Sequence, residues 1–131
     1  MLAVGRARPP YADDIAHYGR LLKRLADVEV VEVREDERLA RRIPERAHVC
    51  LLDPAGRTYD SHGFARWVQT RREAARDVCL VIGGPSGTAL ERRDELLSLG
   101  PMTLPHLLAR VVLLEQLFRA HKILAGEPYH K

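Results

Sequence analysis

"DVCLVIGGPSG", residues 77–87, decides the fold of this 131-residue chain. Val78 to Ile82 are apolar without interruption, so the stretch reads as a strand covered on both faces. Strands of that kind lie inside mostly parallel sheets. The glycine pair behind it raises the question of a phosphate cradle. A P-loop needs GxxxxGK[ST], and no lysine follows Gly87. The dinucleotide pattern GxGxxG fails as well, because Pro85 stands where its second glycine belongs. The residues alone leave two readings: a tight βα turn, or a binding loop of unspecified kind, since adjacent glycines permit close approach of a ligand.

Working outward, "AHVCLLD" (47–53) reads as a second buried strand and "LAVG" (2–5) as a short first one. "VEVVEVRE" (28–35) alternates apolar and acidic residues, which predicts a strand near an edge. Ile15, Tyr18, Leu21, Leu22 and Leu25 line one face of a helix over 11–26. A short polar helix over about 35–43 ends at Pro44, and "PAGRTYDS" (54–61) reads as a turn-rich loop. Ser61 is placed to cap a helix whose inner face carries Phe64, Trp67, Val68 and Ala75. A further helix is expected over 88–98 with Thr88 as its cap, then a short strand in "GPMTLPH" (100–106). A last helix runs from Pro105 to about Leu124. The order βαβ(α)βαβαβα predicts one α/β domain over residues 1–131, a mostly parallel sheet flanked by helices on both faces. Ligands in such sheets sit beyond the carboxyl ends of the strands, here at loops 53–60, 83–88 and 100–105.

Composition narrows the class. Hydrophobic residues make up 46% and charged residues 30%, as in globular rather than disordered chains. No apolar run approaches the roughly 18 residues of a membrane helix, and "MLAVGRARPP" lacks a signal-peptide core. A cytoplasmic protein without membrane contact is expected. The formal charge is +3, carried almost wholly by arginine. Arginine suits phosphate contacts, but so mild an excess does not decide nucleic-acid binding. Cys50 and Cys79 sit in apolar runs without a CxxC motif, and read as small buried hydrophobes. The six histidines are scattered, and no metal site is expected. Ser86 lacks a GxSxG elbow. The last helix is apolar almost all round, which fits either a covering partner subunit or a central core position. Glu115 and Arg119, one turn apart, are spaced to pair.

Taken as a set, "LVIGGPSG", "LSLGPMTLPH" and "RVVLLEQLFRAHKILAGEPYHK" resemble the RlmH family, with "LAVG", "DPAGRTYDS" and "ARDV" (75–78) agreeing in order. These are SPOUT-class methyltransferases that act on a pseudouridine of 23S ribosomal RNA. The resemblance spans nearly the whole chain. It implies a C-terminal trefoil knot, which general rules would never suggest, and a homodimer through the knot region and last helix. It implies S-adenosylmethionine held by Leu52, Gly84, Gly100, Pro101, Met102, Thr103, Leu104 and Pro105. It also implies methylation of N3 of the pseudouridine on the assembled 70S ribosome. Glu115 and His130 are then the candidate bases, and Arg119 the group that orients or stabilises the target ring. Arg6, His106, Tyr129 and Lys131 become candidate substrate contacts.

The chain departs from the family pattern in places. Residues 34–46 form a shorter segment. Ser86 replaces a frequent Glu, Leu107 a common Pro, and Phe118 a frequent Tyr. The rival reading is a non-catalytic RNA-binding or ribosome-associated α/β module, with a nucleotide-binding protein further behind.

Overall fold

The computed structural model describes residues 1–34, 38–84 and 90–129. Five parallel strands form one sheet: β1 (Leu2–Val4), β2 (Val31–Val33), β3 (His48–Arg57), β4 (Val78–Ile82) and β5 (Glu95–Leu97). Their order is β2-β1-β4-β3-β5. The apolar run at 78–82 is the central strand, paired with β1 on one side and β3 on the other. The alternating stretch contributes β2 at an edge, as its pattern predicts. The helices are α1 (Ala12–Lys23), α2 (Leu39–Arg42), α3 (Ser61–Glu73) and α4 (His106–Leu124).

Period-two alternation divides the apolar residues between the two faces. Cys50, Leu80 and Ile82 face a core with Ile15 and Leu22 of α1, Phe64 and Val68 of α3, and Leu113, Leu114 and Leu117 of α4. Val49, Leu51, Cys79 and Val81 face the other way, against Leu39, Ile43 and Leu90. Among the described residues, helices therefore flank both faces, but unequally: three on one, and the four-residue α2 on the other. Helix α4 packs against both α1 and α3. That central position accounts for most of its nearly continuous apolar surface.

Several expected elements are corrected. No helix spans 90–98: the chain runs to the edge strand β5 instead. The Asp94 N–H donates to the Val49 carbonyl at 2.8 Å, and its carboxylate accepts the Val49 N–H at 2.7 Å. Glu95 Oε1 bonds the Trp67 indole at 2.7 Å and His48 Nε2 at 2.8 Å. These tertiary bonds hold the segment extended against its local helical preference. Residues 100–106 form no strand, because β5 has already supplied that pairing. β3 continues to Arg57 through the expected loop, with a register shift against β5 between Leu52 and Arg57. Asp60, not Ser61, caps α3, its Oδ1 accepting the Gly63 N–H at 2.7 Å. α2 is only four residues long. Thr88 and Ser86 lie outside the described residues, as does the start of the expected 35–43 helix.

Two consequences are testable. A Cβ on Gly56 would lie 2.6 Å from the Leu96 backbone carbon, where β3 and β5 touch. Gly56→Ala is expected to cost about 1–3 kcal/mol of stability, as overpacking does, read from urea denaturation midpoints. Cys50 and Cys79 are both free and buried. Burial, then Glu95, pushes the Cys50 thiol up to about 12, and burial raises Cys79. Neither is expected to react with iodoacetamide at about pH 8 in the folded protein, and both should in denaturant, by mass spectrometry.

Candidate methyl-donor cleft and C-terminal cluster

The middle of β3 and the ends of β4 and β5 converge on a cleft of about 690 Å³. Leu52, Asp53 and Pro54 come from β3, Ile82, Gly83 and Gly84 from β4, and Leu97 and Leu99 from β5 and its exit. The connection to α4 closes the remaining side with Gly100 and Met102 to His106. Ser98 shapes that connection. Its buried Oγ donates to the Gly100 carbonyl at 2.9 Å and accepts the Gly100 N–H at 3.0 Å. Gly100 has φ +135°, in the region that favours glycine. Met102, 79% exposed, stands at the rim.

The walls are mostly leucine, isoleucine, proline and glycine, with strand-end backbone between them. Among the described residues, no lysine or arginine lines the cleft. Asp53 is the one acidic side chain among its described lining residues, with Oδ1 taking the Ala55 N–H at 2.8 Å. His106 is the one histidine among them, and burial, then Arg110 and Arg8, hold its pKa below the ordinary imidazole value. A cleft so built repels phosphate and tolerates a cationic ligand. Seven residues expected at a donor site, Leu52, Gly84, Gly100, Met102, Thr103, Leu104 and Pro105, line it together with His106. Pro101 is exposed and is not among the lining residues. Asp53 and Ser98 were not singled out in the sequence. Asp53 ends the apolar run of residues 49–52, which is a usable signal although β3 continues past it; Ser98 carries none without its turn geometry.

A second cluster lies farther along α4. Arg119 Nε and Nη2 donate to Glu115 Oε1 at 2.9 and 2.6 Å. The Tyr129 hydroxyl reaches the same oxygen at 3.3 Å. Gln116 donates to Glu115 Oε2 at 2.9 Å and accepts from Ser61 Oγ at 3.0 Å. The Arg119 guanidinium lies 5.0 Å from the Tyr129 ring centre, and Phe118 meets that ring edge-on at 4.9 Å. Its bonds to Glu115 raise the Arg119 pKa, and burial, then Glu115, raise that of Tyr129. The spacing-based expectation of a Glu115–Arg119 pair therefore holds, and the tail as far as Tyr129 folds back onto it. His130 and Lys131 lie outside the described residues. Arg6 is exposed in the β1–α1 loop.

The two groups do not meet within one copy of the chain. Glu115 follows His106 by nine positions, roughly 13 Å along the helix axis at 1.5 Å per residue. Among the described residues, no three His, Cys, Asp or Glu side chains group as a metal site requires. No helix there is long and apolar enough to cross a membrane.

Residues 1–130 match the family model described as "Predicted SPOUT methyltransferase". The chain belongs to the SPOUT methyltransferase family. It is 48% identical over 130 residues to the ribosomal RNA large subunit methyltransferase H of Gemmatimonas aurantiaca, covering 97% of this chain and 84% of that protein. The protein of the same name in Rubrobacter xylanophilus is 47% identical over 151 aligned positions, covering 99% and 96%. That of Gluconacetobacter diazotrophicus is 41% identical, covering 100% and 95%. The cleft and the C-terminal cluster are thus features of a SPOUT methyltransferase chain.

The depressed histidines carry a sign. Burial lowers the pKa of both His106 and His121 below 6.5. Below about pH 6.5 the unfolded chain takes up these protons first. Their contribution to stability is therefore full above that pH and is lost as pH falls through the lower folded values. Urea midpoints are expected to drop between about pH 7 and pH 5, and His106→Asn should flatten that drop.

Proposed function

We propose that this chain, acting as a single cytoplasmic domain in a homodimer, methylates N3 of a pseudouridine in 23S ribosomal RNA on the assembled 70S ribosome. S-adenosylmethionine is the donor in this reading. The observation that carries it is the cleft: seven family-type donor positions on one wall system, with no lysine or arginine among its described lining residues, in a chain nearly half identical to named ribosomal RNA methyltransferases. The cleft volume lies in the range of small-molecule sites. Leucine and isoleucine walls suit an adenine ring, and exposed strand-end amides and carbonyls suit its edge. Asp53 suits a cationic group, and a neutral His106 does not oppose a sulfonium.

Bound there, S-adenosylmethionine supplies an already activated methyl group. The protein's work is then alignment and proton handling. N3 of the target must lose its proton as the methyl arrives. Glu115 or His130 accepts that proton, and Arg119 offsets the negative charge developing on the ring. Tyr129 presents an aromatic face beside Arg119 for the base, and Arg6 and Lys131 contact phosphates.

The homodimer resolves the separation along α4. Leu108 and Val112 are half-exposed and belong to neither core, while Glu115, Gln116 and Arg119 continue their stripe. Two α4 helices crossing antiparallel on this stripe bring the partner's C-terminal cluster toward each cleft. Such an isologous contact is self-complementary. In this reading the trefoil knot lies in the segment that leads from β4 through β5 into α4. The enzymatic reading is preferred to a non-catalytic RNA-binding module because the donor positions form a walled cleft.

Methylation of purified 70S ribosomes with S-adenosylmethionine, followed by nucleoside mass spectrometry, tests the assignment. Glu115→Ala, and separately removal of residues 128–131, are each expected to lower turnover at least tenfold. The dimer and donor affinity should persist, by sedimentation and calorimetry. Leu104→Arg should instead abolish donor binding. No methylated pseudouridine from the wild type, or wild-type turnover in both tail variants, would sink the respective claims.

A further inference from the structure

Arg110 is 1% exposed, deep on the inner side of α4. Its Nη1 meets Glu32 Oε2 at 2.6 Å, and Nη2 donates to the Gly5 carbonyl at 3.2 Å. Its Nε is buried without a hydrogen-bond partner among the described residues. Neither the donor cleft nor the Glu115 cluster uses this side chain. Glu32 itself faces solvent, so the cost of the arrangement falls on the buried guanidinium, whose desolvation an ion pair offsets only in part. What such a pair can supply is a fixed geometry.

The geometry here is that of the β1–α1 connection. The Gly5 N–H donates to the Val33 carbonyl at 2.8 Å, and the Gly5 carbonyl accepts from Arg110. The Ala7 N–H donates to Glu32 Oε2 at 2.7 Å, the same oxygen that Arg110 holds. The Arg8 carbonyl accepts the N–H groups of Tyr11 and Ala12 at 3.0 and 3.1 Å. Gly5 also sits close under His106, whose Nε2 lies 3.6 Å from where a Cβ would be. Anchored and free positions thus alternate. Gly5 and Ala7 are tied inward, while Arg6 and Arg8 are exposed, with no hydrogen bond or ion pair of either guanidinium among the described residues. Arg8 is near enough to His106 to act on its charge. The strap therefore borders the cleft at His106.

We propose that the ion pair between buried Arg110 and solvent-facing Glu32 is a positioning device for RNA capture, fixing the Gly5–Arg8 strap so that Arg8, with Arg6, meets phosphates beside the target nucleotide. This rests on the reading of the chain as a ribosomal RNA methyltransferase. Arg8 is the contact residue; Arg110 and Glu32 act through it. Phosphate contacts of this kind set affinity and salt dependence, not the chemical step.

The test is steady-state methylation of 70S ribosomes at saturating S-adenosylmethionine. Arg8→Ala, a change on an exposed side chain, should raise KM for ribosomes about five- to tenfold and leave kcat within about twofold. The slope of log KM against log salt should fall by about one, as for a lost phosphate contact. Glu32→Gln should raise KM similarly, with calorimetric donor affinity unchanged. In the Glu32→Gln background, Arg8→Ala should add less than half of its own effect, because the strap is already released. A purely structural role for the pair predicts a lower melting temperature and full additivity instead. Unchanged KM and salt slope in Arg8→Ala, or full additivity, overturns the proposal while leaving the methyltransferase assignment standing. A wild type that binds S-adenosylmethionine but methylates no ribosomal RNA overturns both. Should Glu32→Gln melt below the assay temperature, the KM and salt slope of Arg8→Ala decide alone.

Discussion

The attachment of Asp94 and Glu95 to β3 is the constraint on which the rest of the structure depends. Asp94 exchanges a pair of hydrogen bonds with Val49, one through its backbone and one through its carboxylate. The Val49 amide, followed by His48 and the arginines, holds that carboxyl below the usual range, so it stays ionised and gripping. Glu95 is fixed in turn by Trp67 and His48. These bonds put β5 at the far edge of the sheet, beyond β3. Helix α4, however, belongs between α1 and α3. The chain from Ser98 to Pro105 has to travel back across the strand ends to reach it, and that crossing forms the cleft wall.

Charge is distributed to match. The chain carries 21 lysines and arginines, yet none of those among the described residues lines the cleft. Arg119 is tied to Glu115, Arg110 to Glu32, and Arg6 and Arg8 stand outside on the strap. The interior of the site is left to backbone amides, aliphatic walls and one carboxylate. An anion would be drawn to the rims of this molecule and a cation would be tolerated within it. An RNA substrate outside and a small methyl donor within would suit that division.

The sheet was legible because 78–82 and 47–53 are apolar on both faces and 28–35 alternates. The helices at 12–23, 61–73 and 106–124 were legible from their periodicity. Residues 90–98 were misread because Leu90, Leu96 and Leu97 fit a helical face. Only the tertiary partners of Asp94 and Glu95, 45 and 47 residues away in sequence, reveal a strand. The residues that line the cleft are those that motif resemblance and the rule that ligands sit at strand ends single out. No local pattern marks Ser98, Asp60 as cap, or Arg110 as a buried partner of Glu32. Each depends on a turn or a contact that exists only after folding. The Glu115–Arg119 pair was visible because a helix turn is a local ruler.

That ruler has a consequence for which parts of the chain can change length. Between His106 at the cleft and Glu115 in the cluster runs unbroken α-helix. One inserted or deleted residue there would turn the two groups about 100° out of phase and shift them by about 1.5 Å. No loop stands between them to absorb the error. The connection around α2 is under no such restriction, since it packs on the opposite face of the sheet from α4. Shortening is therefore admissible over 34–46 and inadmissible over 106–119. The molecule keeps time along one helix and leaves slack on the far side of its sheet.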